Sequence, residues 1–311
     1  MTNKFPYFLV GSVLLMSCLN CSNDSADTMD DTDDSETIDD SAVVNVDPSY
    51  FYTADGSVTI TTVPCTLSDG TQTDCYQIVT SSLATDHEMG PWCPDNIADG
   101  ATFYNDTNWL MYDANGDISV TDTEEDCENA ANPNVGAEYE NFCVECLPSY
   151  ITDLSQTWVI PVRPVIQTSP TLFTTAGGGP PGPGTSAPST RGVALNGIEF
   201  SAPAPVDNIL GAYTLAPFDD AGGHINVHQG YHYHAATGFG TQIVQDDGHA
   251  ALIGYALDGF GIYALEDANG DSPSDLDELR GHTDDTRGYH YHVDAAGNNN
   301  FINGLKGAYV N

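Results

Sequence analysis

The chain has 311 residues, with six Lys and Arg against 45 Asp and Glu, for a formal net charge of −39. So few basic side chains exclude a phosphate backbone as partner, because binding one takes clustered Lys and Arg, and they weigh against anionic lipid headgroups for the same reason. Such a surface attracts cations and stays soluble in salt; a saline habitat is one reading of it and calcium sites are a sharper one.

Residues 1–18 read as a signal. Lys4 precedes the apolar run FPYFLVGSVLLM (5–16), which is too short to span a bilayer. Small Ser17 then precedes Cys18, a pattern similar to bacterial lipoprotein signals, in which Cys18 becomes the lipidated first residue. Cys21 is the poorer acceptor because Asn20 precedes it, and a plain secretory signal is the alternative. Either way the protein is expected to be exported, and with a lipid anchor it belongs to the cell envelope, at the outer membrane or cell surface. Residues 19–48 contain SNDSADTMDDTDDSETIDDS (22–41), with almost nothing to bury, and read as an acidic disordered tether.

From 49 to 157 the chain is cysteine-bearing and loop-rich. SVTITTV (57–63) and CYQIVT (75–80) alternate Val, Ile and Thr between turn residues, as strands do. Cys65, Cys75, Cys93, Cys127, Cys143 and Cys146 are an even set, which in an oxidising compartment predicts three disulfides among about fifteen pairings. CVEC (143–146) has no second CxxC and no thioredoxin-like surroundings, so its two cysteines are expected in separate bridges. Residues 158–311 lack cysteine and hold eight of the nine histidines, with a flexible Gly/Pro loop over 174–190. GVALNGIEF (192–200), ALIGYALDGFGIYAL (251–265) and two GYHYH runs all alternate like strands. The expected fold is mainly β with short helices and long loops, with pseudo-duplicated His-x-His strands in the C-terminal half.

The two GYHYH runs, at 230–234 and 288–292, are 58 residues apart, and the offset carries more than the pentapeptide. Gly223-His224 recurs as Gly281-His282, and Asp219-Asp220 as Asp277-Glu278. On a strand the period of two puts both tyrosines on one face and both histidines on the other. A His-x-His pair can then place two imidazoles on one metal ion, imidazole being a common ligand of zinc and copper. The candidate ligands are His232, His234, His290 and His292, with His224 and His282 nearby; paired copies would bring all of them to one place. Asp219 and Asp277 are the expected acceptors that fix ring tautomers, and Tyr231, Tyr233, Tyr289 and Tyr291 form the surrounding layer. The bland alternative is a polar core in which the histidines bond to each other and the backbone. The acidic composition would hold histidine pKa values up, which makes clustered uncoordinated rings awkward. Copper or zinc is favoured, since no carboxylate-rich facial triad is evident. His87, beside Met89, is a candidate to complete a copper site, though a lone loop histidine is more often structural.

DANGDISVTDTE (113–124) and DANGDSPSDLDE (267–278) resemble EF-hand-type loops, with oxygens at alternating places and a closing acid. The calcium candidates are Asp113, Asn115, Asp117 and Glu124 in the first, and Asp267, Asn269, Asp271, Asp275 and Glu278 in the second. Both loops lack glycine at the sixth place, having Ile118 and Ser272.

GVALNGIEF, GYHYH, GYALDGFGIYAL, DLDELRGH and GYHYHV occur in that order and resemble the YHYH domain family of exported bacterial proteins. DCYQIVT, HEMGPWCP, NWLMYDANGD, CVEC and VIPVRPV extend the resemblance over about 60–311. It implies no established activity. It does imply, in many members, a cysteine two residues before the glycine of Gly-His, where this chain has Ala221 and Leu279. The loss of both together puts a disulfide at that place in doubt and leaves the imidazoles untouched.

Neither a G-x-S-x-G, nor a P-loop, nor a G-x-G-x-x-G after a strand occurs, which leaves serine or cysteine hydrolase chemistry with little support. The leading expectation is an exported, membrane-anchored protein that binds copper or zinc for capture or handling. A metal-dependent hydrolase or oxidoreductase on the same histidines is the first alternative. A calcium-stabilised surface module with structural histidines is the second.

Overall fold

The computed structural model describes residues 43–90, 109–112, 118–120, 124–130, 143–145, 153–173, 189–204, 214–215, 218–219, 221–226, 229–238 and 240–311. The signal, Cys18, Cys21, residues 19–42 of the expected tether, Cys93, Cys146, His228 and most of the Gly/Pro loop lie outside these residues; residues 43–48, also expected in the tether, are packed, with Val43 and Val46 buried and Val43 bridged to Gly288. Ile38–Asn311 form one unit.

The chain first makes a hairpin of β1 (Val58–Thr66) and β2 (Gln72–Thr80), antiparallel with Val58 opposite Thr80. Cys65–Cys75 bridges it near the turn. Four short elements follow: β3 (Trp109–Tyr112), β4 (Ile118–Val120), the helix α1 (Glu124–Ala130) and β5 (Cys143–Glu145). Cys127–Cys143 ties α1 to β5, so Cys143 bonds outside its CVEC motif, as expected. Next, β6 (Gln156–Pro161) adds to β2 antiparallel and completes a three-stranded sheet. The expected boundary at 157/158 thus falls inside a strand of that sheet. After β6 comes β7 (Ile166–Leu172).

The rest of the chain builds an eight-stranded sheet from β8 (Thr190–Ala194), β9 (Glu199–Ser201), β11 (Gly223–Asn226), β12 (Gly230–Tyr233), β13 (Leu252–Ala256), β14 (Gly261–Ala264), β15 (Gly281–Asp284) and β16 (Gly288–Val293). Between them β10 (Thr214–Leu215) joins β5, and β17 (Gly304–Gly307) closes the chain against β7. The sheet order is β11-β12-β9-β8-β13-β14-β16-β15, which reads the same from either end once the two halves are matched. In each half a hairpin (β8–β9, β13–β14) turns at Leu-Asn-Gly or Leu-Asp-Gly. Its second strand then pairs in parallel with the GYHYH strand, which pairs antiparallel with the Gly-His strand.

The halves meet where β8 and β13 run antiparallel. Val193 faces Tyr255, flanked by Ala194 opposite Gly254 and Gly192 opposite Ala256. Gly192-x-Ala194 and Gly254-x-Ala256 exchange places about this pair, so a local pseudo-twofold passes through it. The duplication therefore extends upstream of Gly-His at an offset of 62: GVALNGIEF matches GYALDGFGI. On one face Val193, Leu195 and Tyr255 bury against Val58, Ile78 and Ile160 of the three-stranded sheet. The opposite face carries all four motif tyrosines into a larger apolar cluster with Phe200, Phe260 and Phe301. Ala221 and Leu279, where the resemblance implies cysteines, are buried in that same cluster.

Candidate metal centres

The histidines collect in two places rather than one. His224, His232 and His234 form one group; His249, His282, His290 and His292 form the other, with ligand atoms within 4.8 Å of one another in each. The expected meeting of both GYHYH runs at a common ion does not occur. Four strands (β9, β8, β13 and β14) separate β12 from β16, so each run serves its own half of the sheet. The partner that each run meets is its own Gly-His strand: His224 lies opposite His232, and His282 opposite His290.

Local sequence builds this geometry twice. In each copy the aspartate four residues before the Gly-His glycine clasps the turn: Asp219 Oδ1 accepts from the Ala221 and Gly223 amides, and Asp277 Oδ1 from Leu279 and Gly281. The second oxygen accepts a tyrosine hydroxyl, Tyr231 at 2.8 Å and Tyr289 at 2.9 Å. That ring lies over the glycine, where a Cβ on Gly223 would stand 2.2 Å from Tyr231 and one on Gly281 2.2 Å from Tyr289. Glycine before histidine is thus required for the tyrosine to pack.

The two aspartates accordingly hold tyrosines, not histidines, because YHYH alternation sends the tyrosines to the aspartate side of the sheet. Tyr291 donates to Asp258 at 2.7 Å, and Tyr233 accepts from Asn196 at 3.0 Å, the two turn residues being equivalent. Burial drives all four phenols well above their ordinary pKa. His87 also sits on the tyrosine side. Its Nδ1 meets Asp86 at 2.8 Å and its Nε2 meets the Tyr231 hydroxyl at 3.2 Å, away from both histidine groups.

Backbone carbonyls take the role expected of the aspartates. His232 Nδ1 donates to Gly230 O and His290 Nδ1 to Gly288 O, at 3.0 and 2.9 Å. His234 Nδ1 donates to Ala202 O, and His292 Nδ1 to Ala264 O at 2.7 Å, the two alanines being equivalent. His249 Nδ1 donates to Ala250 O at 3.0 Å, and His282 Nδ1 to Asp275 Oδ1 at 2.8 Å. A neutral imidazole has one N–H, so a ring that donates through Nδ1 turns a bare lone pair out at Nε2.

In the second group all four rings donate this way, and their Nε2 atoms face each other. His282 to His290 is 3.0 Å, His249 to His290 3.1 Å and His292 to His282 3.2 Å. In the first group His224 and His234 meet Nε2 to Nε2 at 2.8 Å. Converging lone pairs repel unless a cation lies among them. A proton is the poorer candidate, because burial lowers the pKa of His232 to about 4, His234 to about 3, His290 to about 4 and His292 to about 3. His249 is lowered too, again chiefly by burial. The acidic composition, expected to raise these values, loses to desolvation. A tetrahedral ion with bonds of about 2.0–2.1 Å has ligand atoms about 3.3 Å apart, close to the spacing found. Both groups are therefore compatible with metal binding.

The loop 267–278 is arranged differently. Asp267 accepts from the Asn269 and Asp271 amides and from the Asn269 side chain. Asp275 is committed to His282, Asp277 to its turn, and Glu278 is exposed. Among the described residues, groups of three or more potential ligands gather only at the two histidine clusters. Of the other loop, Asp113, Asn115 and Asp117 lie outside the described residues and Glu124 opens α1.

His249 is the candidate ligand that sequence reasoning missed. It stands alone in DDGHA, outside both repeats. Its ring packs edge-on against Tyr263, 4.9 Å between centroids, which carries it to His290 and His292.

A family model described as YHYH protein matches residues 157–275. The resemblance read from the motifs holds over that stretch, which takes in the first Tyr-His-Tyr-His run and ends before the second. No curated protein and no solved structure matches the chain.

Proposed function

We propose that this chain, which carries the YHYH family segment, is an exported, lipid-anchored protein that binds copper or zinc through its two imidazole groups and serves in metal capture or handling. One observation carries the reading: every ring of the second group gives its Nδ1–H to an oxygen, which leaves four Nε2 lone pairs converging at 3.0–3.2 Å where their distances are shortest. An all-nitrogen donor set suits zinc and copper and disfavours calcium or magnesium, which take oxygen. The carbonyl acceptors hold the rings in register before the ion arrives. The acidic surface raises the local cation concentration, and export with a lipid anchor at Cys18 would keep the protein where external metal is met.

Metal analysis of the purified protein beside a His232/His234/His290/His292→Ala variant tests this. Near-stoichiometric copper or zinc in the parent and none in the variant is the expected result. Metal-free parent protein that also takes up neither ion when offered it would refute the reading.

A further inference from the structure

The two centres share a frame but not a setting. Asp219, Gly230 and Ala202 support one as Asp277, Gly288 and Ala264 support the other. Among the described residues they differ in the number of rings and in access. His224, His232 and His234 are 8%, 1% and 5% exposed. The Phe218 ring lies against two of them, with centroids 5.2 Å from His224 and 5.8 Å from His234. In the second centre His249 has no counterpart at the offset of 62, which lands on Ala187. His249 and His282 are half-buried, and with His292 they line a cleft of about 390 Å³ whose wall includes Asp267 and Asp271.

From this contrast we infer that the centres divide the work: the His249/His282/His290/His292 centre exchanges its transition-metal ion through the cleft, and the His224/His232/His234 centre retains one. This rests on the metal-binding reading proposed above. Exchange at an ion needs an incoming ligand to reach it. The cleft admits a small chelating ligand to the faces of three rings, and its carboxylates favour an approaching cation. Among the described residues the first centre presents three buried rings with Phe218 against two of them, so release there waits on local opening of β11 and β12, which is slower than ligand attack at an open face.

The test loads the purified full chain with zinc(II), removes the excess and follows transfer to a chromogenic pyridylazo chelator. Two phases of one equivalent each are expected. A His249→Ala/His282→Ala variant should lose the fast equivalent and keep the slow one; a His224→Ala/His234→Ala variant should do the reverse. The phase that survives in each variant reports that the protein is folded. Release of both equivalents in one phase, or a fast phase that survives the His249/His282 change, overturns the division of labour. A chain that binds no zinc or copper overturns the metal reading itself, and this inference with it.

Discussion

His282 and His290 face each other Nε2 to Nε2 at 3.0 Å while both Nδ1 atoms are occupied, one by Asp275 Oδ1 and the other by Gly288 O. In their neutral forms neither ring has a proton left to share along that line. An ion that enters removes the repulsion and ties β15 to β16 and to the loop of His249. Zinc should therefore stabilise the protein as a ligand that binds only the native state. At a free concentration about 100 times the dissociation constant, linkage gives about 2.7 kcal/mol, or a rise in Tm of about 5–10 °C. Differential scanning calorimetry with and without zinc checks this; an unchanged Tm at saturating zinc contradicts it.

Acid should undo the metal-free fold over a defined range. The buried rings have folded pKa values of about 3 to 4, below the value of about 6.5 for an unfolded histidine. Between those values the unfolded chain holds more protons than the native one, so stability rises with pH across the window. The histidine contribution is intact above about pH 6.5 and is lost as pH falls towards 4. Urea midpoints in EDTA at pH 7, 6 and 5 should decline, and a His232→Gln/His290→Gln variant should decline less. Parallel pH profiles for the two proteins would show that burial of these rings does not set the slope.

Asp219 holds Tyr231, two turn amides and the Gly90 amide. Removing its carboxylate leaves a buried phenol and at least two buried amides without their acceptor, at about 1–3 kcal/mol for each group left unpaired. Asp219→Ala should thus lower stability by about 3 kcal/mol or more. It should also weaken metal binding at the His224 group and leave the His249 group unchanged, because the two clasps are separate. Chemical denaturation together with zinc titration resolves the two effects.

Gly223→Ala and Gly281→Ala form a matched pair. Each adds a Cβ 2.2 Å from a tyrosine ring, far inside van der Waals contact. Overpacking of this kind costs about 1–3 kcal/mol. The pseudo-twofold predicts similar losses for both, measured by circular dichroism melts. A neutral effect at either position would mean that the tyrosine can swing away, and with it the aspartate clasp.

Much of this architecture is legible before any coordinates. Alternation in GYHYH separates tyrosines from histidines because a strand has a period of two, and the offset of 58 marks the duplication. The link of each run to its own Gly-His histidine was within reach as well, since both lie in one short antiparallel hairpin. What the motifs do not carry is the order of strands. The runs join β9 and β14 by parallel pairing, and this places four strands between the histidine pairs. GVALNGIEF and GYALDGFGI are the readable trace of that arrangement, but their offset of 62 differs from 58, so the copies fall out of step between hairpin and Gly-His. His249 leaves no pattern at all, because it stands alone in DDGHA and reaches the other rings only through the folded sheet, where it packs edge-on against Tyr263. Asp219 and Asp277 were singled out by spacing, yet which face they serve follows from how the turn closes.

The most direct test of the lone-pair convergence is ¹⁵N NMR of the histidine side chains, recorded metal-free and after zinc addition. Metal-free rings that are Nδ1-protonated, followed by a coordination shift at Nε2 of His232, His234, His249, His282, His290 and His292, are the predicted result. Rings protonated at Nε2, or at both nitrogens at neutral pH, with spectra that zinc leaves unchanged, would contradict it.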